Sequence, residues 1–143
     1  MVALTSERNT RARIGDLRVE PMAATVKIWG GSLVMRNAAG YLTKGATATG
    51  CVGVGRAEKT VDNTGAAGAA SIEYRTGLFL FANSAAGDLI TIADIGKVCF
   101  IVDDQTVAKT DGTATRSRAG IVDGIEASGA VWVRCDEALA RAA

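Results

Sequence analysis

Histidine is absent from this 143-residue chain, and that single gap excludes the Ser-His-acid and Cys-His nucleophilic machineries. Cysteine is nearly absent too. Cys51, Cys99 and Cys135 are odd in number, form no CxxC spacing and have no histidine to complete a zinc set. Each lies in an apolar run, so they read as free thiols packed as small hydrophobes, which suits synthesis in a cytoplasm. Aromatics make up only 5% of residues, so the core must rest on Val, Ile and Leu. No apolar run approaches the roughly 20 residues of a membrane-spanning helix. The first twenty residues carry no apolar stretch of the secretory kind, so the expected product is soluble and cytoplasmic. A net charge of +1 provides no field to draw in nucleic acid or an acidic bilayer.

What is present is short and β-like. After Pro21, the only proline, the apolar pattern has a period of two. Val26 and Ile28 flank Lys27, and Gly30-Gly31 precedes Ser32-Leu33-Val34-Met35, which suggests a hairpin over 26–34. Asn37-Ala38-Ala39-Gly40 is a turn signal that returns the chain through Tyr41-Leu42-Thr43. Glycines between Cys51, Val52 and Val54 point to a strand with a close backbone approach or a bulge. Asp62 to Gly68 reads as an exposed loop, and Ser71 to Arg75 as a strand with one wet face. Leu78-Phe79-Leu80-Phe81 is apolar on both faces and should lie mid-core. Thr91-Ile92-Ala93-Asp94 has the spacing of a capped helical turn, ended by Gly96. Val98 to Val102 is a buried strand. Asp111-Gly112 is a hairpin-type signal, Gly120–Ile125 pairs with Val131–Cys135, and 136–143 forms a short helical or frayed tail. Eight to ten short strands with turns every 8–12 residues define an all-β fold, a small β-sandwich or barrel with a one-turn helix.

The apparent active-site motifs fail on inspection. Gly45 to Gly50 has the glycine spacing of a phosphate loop, but Cys51 and Val52 stand where Lys and Ser/Thr are needed. Gly53-Val54-Gly55 lacks the third glycine of a dinucleotide fingerprint. Asp103 and Asp104 are adjacent on a strand end, where neighbouring side chains point to opposite faces. They read as turn-capping residues, and no cofactor or metal is expected.

Residues 1–20 form a flexible N-terminal arm, distinct from the β-rich domain of 21–143. Four arginines against Glu7, Asp16 and Glu20 leave the arm a net charge of about +1, too little to neutralise many phosphates. Docking on a partner protein suits it better, with Arg8, Arg11, Arg13, Ile14, Leu17 and Val19 as candidate partner-binding residues. A tail without any role is the alternative. Trp29 and Trp132 are isolated strand aromatics, read as core or subunit-interface residues.

The run Ala93 to Ala108, followed by Arg118 to Ile125 and Val131 to Arg134, resembles the C-terminal half of phage capsid decoration proteins, the head-stabilising cement proteins. Val26 to Val34, Gly40-Tyr41-Leu42, Cys51 to Ala57 and Val61-Asp62-Asn63 continue the likeness in order, over about residues 24–135. The resemblance implies a β-tulip-like fold and a homotrimer on the outside of the expanded head. There it would clamp the major capsid protein lattice, with the N-terminal arm pairing with a capsid strand. It implies a virion location on the capsid exterior, no enzyme activity and no binding to nucleic acid or membrane. No single contact residue carries over from it. Two alternatives stay open: another virion β-domain, such as a head-fibre base or tail-associated domain, or a small nucleic-acid- or ligand-binding β-barrel.

Overall fold

A computed structural model describes residues 2–143. Twelve strands are present: β1 (Leu17–Pro21), β2 (Val26–Ile28), β3 (Leu33–Arg36), β4 (Leu42–Lys44), β5 (Val52–Ala57), β6 (Val61–Asn63), β7 (Ser71–Arg75), β8 (Gly77–Asn83), β9 (Val98–Ile101), β10 (Thr106–Ala108), β11 (Arg118–Ile125) and β12 (Val131–Cys135). The one α-helix among the described residues, α1 (Glu137–Ala142), starts where the Asp136 carboxylate accepts from the Ala138 and Leu139 amides at 2.9 and 3.2 Å. The helical turn expected after Thr91 is a single 3-10 turn over Ile92–Asp94, and its capping box is formed as the spacing predicts.

Five strands close on themselves. Taken in order, β9, β10, β8, β12 and β11 make a ring, because β11 pairs back onto β9. Every contact in the ring is antiparallel except β10 with β8. A second set leaves this barrel through β5, which touches β11 by one parallel pair, Arg118 with Val52. Strands β3 and β7 flank β5, β4 lies beyond β3, and β1 lies beyond β7. Strands β2 and β6 form a separate pair.

This arrangement creates two cores. Residues such as Phe81, Cys99, Ile101, Val107, Val131 and Val133 fill the barrel. A second core gathers Met22, Ile28, Leu42, Val54, Ile72 and Tyr74. Strand β3 is the wall between them: Leu33 and Met35 face the barrel, Val34 faces the second core, and all three are buried. Alternation along a strand separates neighbours onto opposite faces, and here both faces are dry.

The glycines of β5 make the join possible. A Cβ on Gly53 would lie 2.3 Å from the carbonyl oxygen of Ala119, and one on Gly55 would lie 1.9 Å from that of Arg75. The close approach and the bulge expected here are both present, the bulge falling between Val34 and Met35 where β3 pairs with β5.

Several sequence expectations are corrected. Residues 26–34 are not a hairpin: β2 pairs with β6, while β3 pairs with β4 and β5. The Asp62-Asn63 end of the expected loop belongs to β6. The buried Asn63 amide there donates to the carbonyls of Ala23 and Ala66 at 2.7 and 3.1 Å. Asp111-Gly112 opens a wide loop in which the Asp111 carbonyl accepts from the Thr115 and Arg116 amides. A tight hairpin was impossible there, because β9 lies between β10 and β11. Leu78 and Leu80 are exposed on the barrel exterior, and only Phe81 of that run is fully buried. A strand in a closed barrel has one inner face, so an unbroken apolar run must leave half its side chains outside.

Gly53→Ala is expected to lower stability by about 1–3 kcal/mol or more, since backbone atoms cannot yield as a side chain can. Gly87→Ala, whose added methyl would meet nothing within 4 Å, should unfold at the same denaturant midpoint as the parent. Equal midpoints for the two variants would show that the seam tolerates a side chain.

Candidate partner-binding surface

The twenty-residue arm divides in two. From Val2 to Ile14 every side chain is exposed and no strand or helix forms, so Arg8, Arg11, Arg13 and Ile14 stand clear of the domain. The chain is caught at Gly15, whose carbonyl accepts from Arg18 Nε at 2.8 Å. Asp16 follows, its carboxylate accepting from Arg75 Nη1 at 3.0 Å and its carbonyl from the Thr76 amide. Residues 17–21 then pair with β7, Leu17 opposite Arg75 and Pro21 opposite Ser71. The boundary expected after residue 20 therefore falls near residue 15, because 17–20 supply the backbone groups that satisfy β7. Proline is tolerated at this place because it ends an edge strand.

Leu17 and Val19 lie on the exposed face of β1, and Arg18 and Glu20 lie on the half-buried one. The structure thus groups Leu17 with Val19 but leaves Arg8, Arg11, Arg13 and Ile14 apart from them. Beside Leu17 and Val19 runs a line of ion pairs from Asp16 through Arg75 and Glu58 to Arg56. Beyond β1 no further strand follows among the described residues, so its outer edge of N–H and C=O groups is unpaired.

The root of the arm is held by a network that sequence patterns did not reveal. Arg36 Nη2 donates to the Glu20 carboxylate at 2.9 Å, its Nε donates to Glu137 at 3.1 Å, and its Nη1 donates to the Gly40 carbonyl at 3.0 Å. The Tyr74 hydroxyl also donates to Glu20. One guanidinium therefore ties β1, β3 and α1 together, with β7 joined through Tyr74. Burial pushes the Glu20 carboxyl upward. Hydrogen bonds from Tyr74 and Arg36, with the charges of Arg36 and Arg18, outweigh that and hold it below the usual carboxylate range. Burial, with the hydrogen bond to Glu20, raises the Tyr74 phenol to about 12. The members lie on β1, β3, β7 and α1, far apart along the chain, so no local spacing announces the cluster.

Asp103 and Asp104 do not form a site. Asp103 Oδ1 accepts from the Gln105 amide at 2.9 Å, the turn-capping bond expected of it, and the Asp104 carbonyl accepts from the Leu33 amide. Cys99 and Cys135 are buried, and burial raises the Cys99 thiol to about 12 and pushes Cys135 up as well, which disfavours the thiolate form. Cys51 is only half-buried, with its thiol also pushed up by burial. No group of three His, Cys, Asp or Glu side chains able to hold a metal is found among the described residues. Trp29 is exposed, not packed, with Lys27 Nζ 4.0 Å from its ring centroid.

Comparison with protein-family models, curated proteins and solved structures finds no match to this chain.

Because the folded Glu20 carboxyl lies below its unfolded value, its contribution is present above the ordinary carboxylate pKa and lost as pH falls through the folded value. Glu20→Gln should therefore lower Tm at neutral pH, with the gap from the parent closing as pH drops below about 4. Thermal melts across a pH series check this, and a gap independent of pH would mean that the charge of Glu20 contributes nothing.

Proposed function

We propose that this chain is a phage head decoration protein, seated as a homotrimer on the outside of the expanded capsid and stabilising the major capsid protein lattice. The observation that carries the reading is the continuity between an exposed segment, Val2 to Ile14, and an edge strand, β1, whose outer side is unpaired. An extended arm anchored at a sheet edge suits strand addition to a partner sheet, where main-chain hydrogen bonds give affinity and alternate side chains give specificity. Val2, Leu4 and Ile14 would supply apolar contacts, and Arg8, Arg11 and Arg13 would pair with capsid carboxylates. The all-β barrel agrees with the resemblance in the sequence. Three arms on one trimer would gain avidity from simultaneous engagement, so each needs only modest affinity.

The arm's anchoring refines the test. Removing residues 2–14 spares β1, and should leave the melting temperature unchanged while abolishing co-sedimentation with expanded, DNA-free heads of the phage or prophage that encodes the chain. A truncated protein that still saturates those heads would remove the arm from the binding mechanism. Removing residues 2–20 should instead destabilise the domain, since Ile72 and Tyr74 would lose the strand paired beside them.

A further inference from the structure

Trp29 is the one aromatic side chain exposed among the described residues, at 54%. It follows β2 and borders a hollow of about 420 Å³ whose other walls are Gly30, Gly31, Ser32, Asp104 and Gln105. Small-ligand sites enclose roughly 300–1,000 Å³ and combine apolar or aromatic surface with a few fixed polar groups. The polar groups here are available. The Asp104 carboxylate and the Gln105 side-chain amide form no hydrogen bond or ion pair among the described residues. The Ser32 hydroxyl donates to the Trp29 carbonyl at 2.7 Å, which leaves its oxygen able to accept.

The frame of the hollow is held from several sides. The Gly30 amide donates to Thr60 Oγ1 at 2.9 Å, and the Gly31 amide to the Ala57 carbonyl at 2.7 Å. The Leu33 amide donates to the Asp104 carbonyl at 2.8 Å, which joins the two segments that line the hollow. Gln105 is pinned through its amide by Asp103 and through its carbonyl by the Ala82 amide. A site whose backbone is already fixed loses little freedom when a ligand enters.

We infer that this hollow binds a neutral saccharide, with one pyranose ring stacked on the Trp29 indole and its hydroxyls bonded to Asp104, Gln105 and Ser32. The charges around the indole select for that class. Lys27 Nζ lies 4.0 Å from the ring centroid, so a cationic ligand would meet a like charge. Asp104, on the wall of the hollow, would repel a phosphate or a carboxylate. An uncharged molecule with one apolar face and a polar rim satisfies both. A sugar ring has that form: its C–H groups meet the negative π face of the indole, and its hydroxyls reach the carboxylate and the amide. A nucleobase also stacks, but binding of a nucleic-acid strand draws on a basic groove and successive aromatics. Here a single indole stands beside an acid. The site owes nothing to the decoration reading, because none of its residues lies on the arm or on β1.

The two indole N–H signals of the isotope-labelled full chain, told apart by Trp29→Phe, report the binding in solution. Neutral tetrasaccharides of glucose, galactose, mannose and N-acetylglucosamine are the probes. At least one should shift the Trp29 signal saturably, with a Kd of roughly 1–10 mM, while the Trp132 signal stays in place. Trp29→Ala, followed by saturation transfer to the sugar, and Asp104→Ala should each weaken that binding about tenfold or more at an unchanged melting temperature. If Trp29→Ala fails to fold, Gln105→Ala, at an exposed position, should still weaken it by about threefold. A Trp29 signal unmoved by every sugar, or a folded Asp104→Ala variant that binds as tightly as the parent, would overturn the inference. A larger shift with a thymidine tetranucleotide than with any sugar would overturn it in favour of a stacked base.

Discussion

Strand β5 is where the fold is held together, and it can serve only because its backbone is bare in two places. The carbonyls of Ala119 and Arg75 pass so close to Gly53 and Gly55 that a methyl group at either would overlap them. That approach lets one strand touch β11 of the barrel on one side and carry β3 and β7 of the second sheet with it. Without it, the barrel and the second sheet would have to part by the thickness of a side chain. Strand β3 would then lose its place as a wall with Leu33 and Val34 buried on opposite faces. The two cores are thus one construction, and side-chain volume at the seam decides whether both exist.

Arg36 extends the same logic to the polar side. It stands at the end of the β3 wall, so its guanidinium can reach Glu20 on β1 and Glu137 on α1. Exposed ion pairs contribute little, but this one is largely shielded, and its donors are also satisfied by the Gly40 carbonyl. Removing one partner would strand a half-buried charge, a larger loss than the pair's own worth. The network fixes where the arm leaves the body, and it ties α1 to the strand that carries the arm.

Much of this was legible in the sequence because it was local. The Asn37–Gly40 turn, the Thr91–Asp94 capping box, the β11–β12 pairing and the Asp103 turn each depend on residues within a few positions of one another. The glycines of β5 were readable as a close approach, though not the strands they would meet. Long-range placement was not readable. Val26–Ile28 and Leu33–Met35 look like hairpin arms, yet their partners are β6 in one case and β4 and β5 in the other, a choice made by burial and not by the intervening glycines. The arm's end was misplaced for the same reason: Leu17 and Val19 have the polar neighbours of a loose segment, but their backbone completes β7.

The misreading of Leu78 to Phe81 has a different cause. Apolar residues at every position suggest a strand buried on both faces, as in a sheet covered by helices. Here α1 is too short to cover a barrel, and no other layer lies over β8 among the described residues. Half of the apolar run therefore faces the core and half faces outward. On the barrel exterior Leu78 and Leu80 lie beside Trp132, while Arg134 separates Leu78 from Val98 and Ile121 along the row that crosses β9, β11, β12 and β8. Strand β1, which carries the arm, lies outside the barrel ring. Strand addition at the β1 edge, as proposed, would draw on backbone groups, so it makes no demand on the side chains of the barrel exterior.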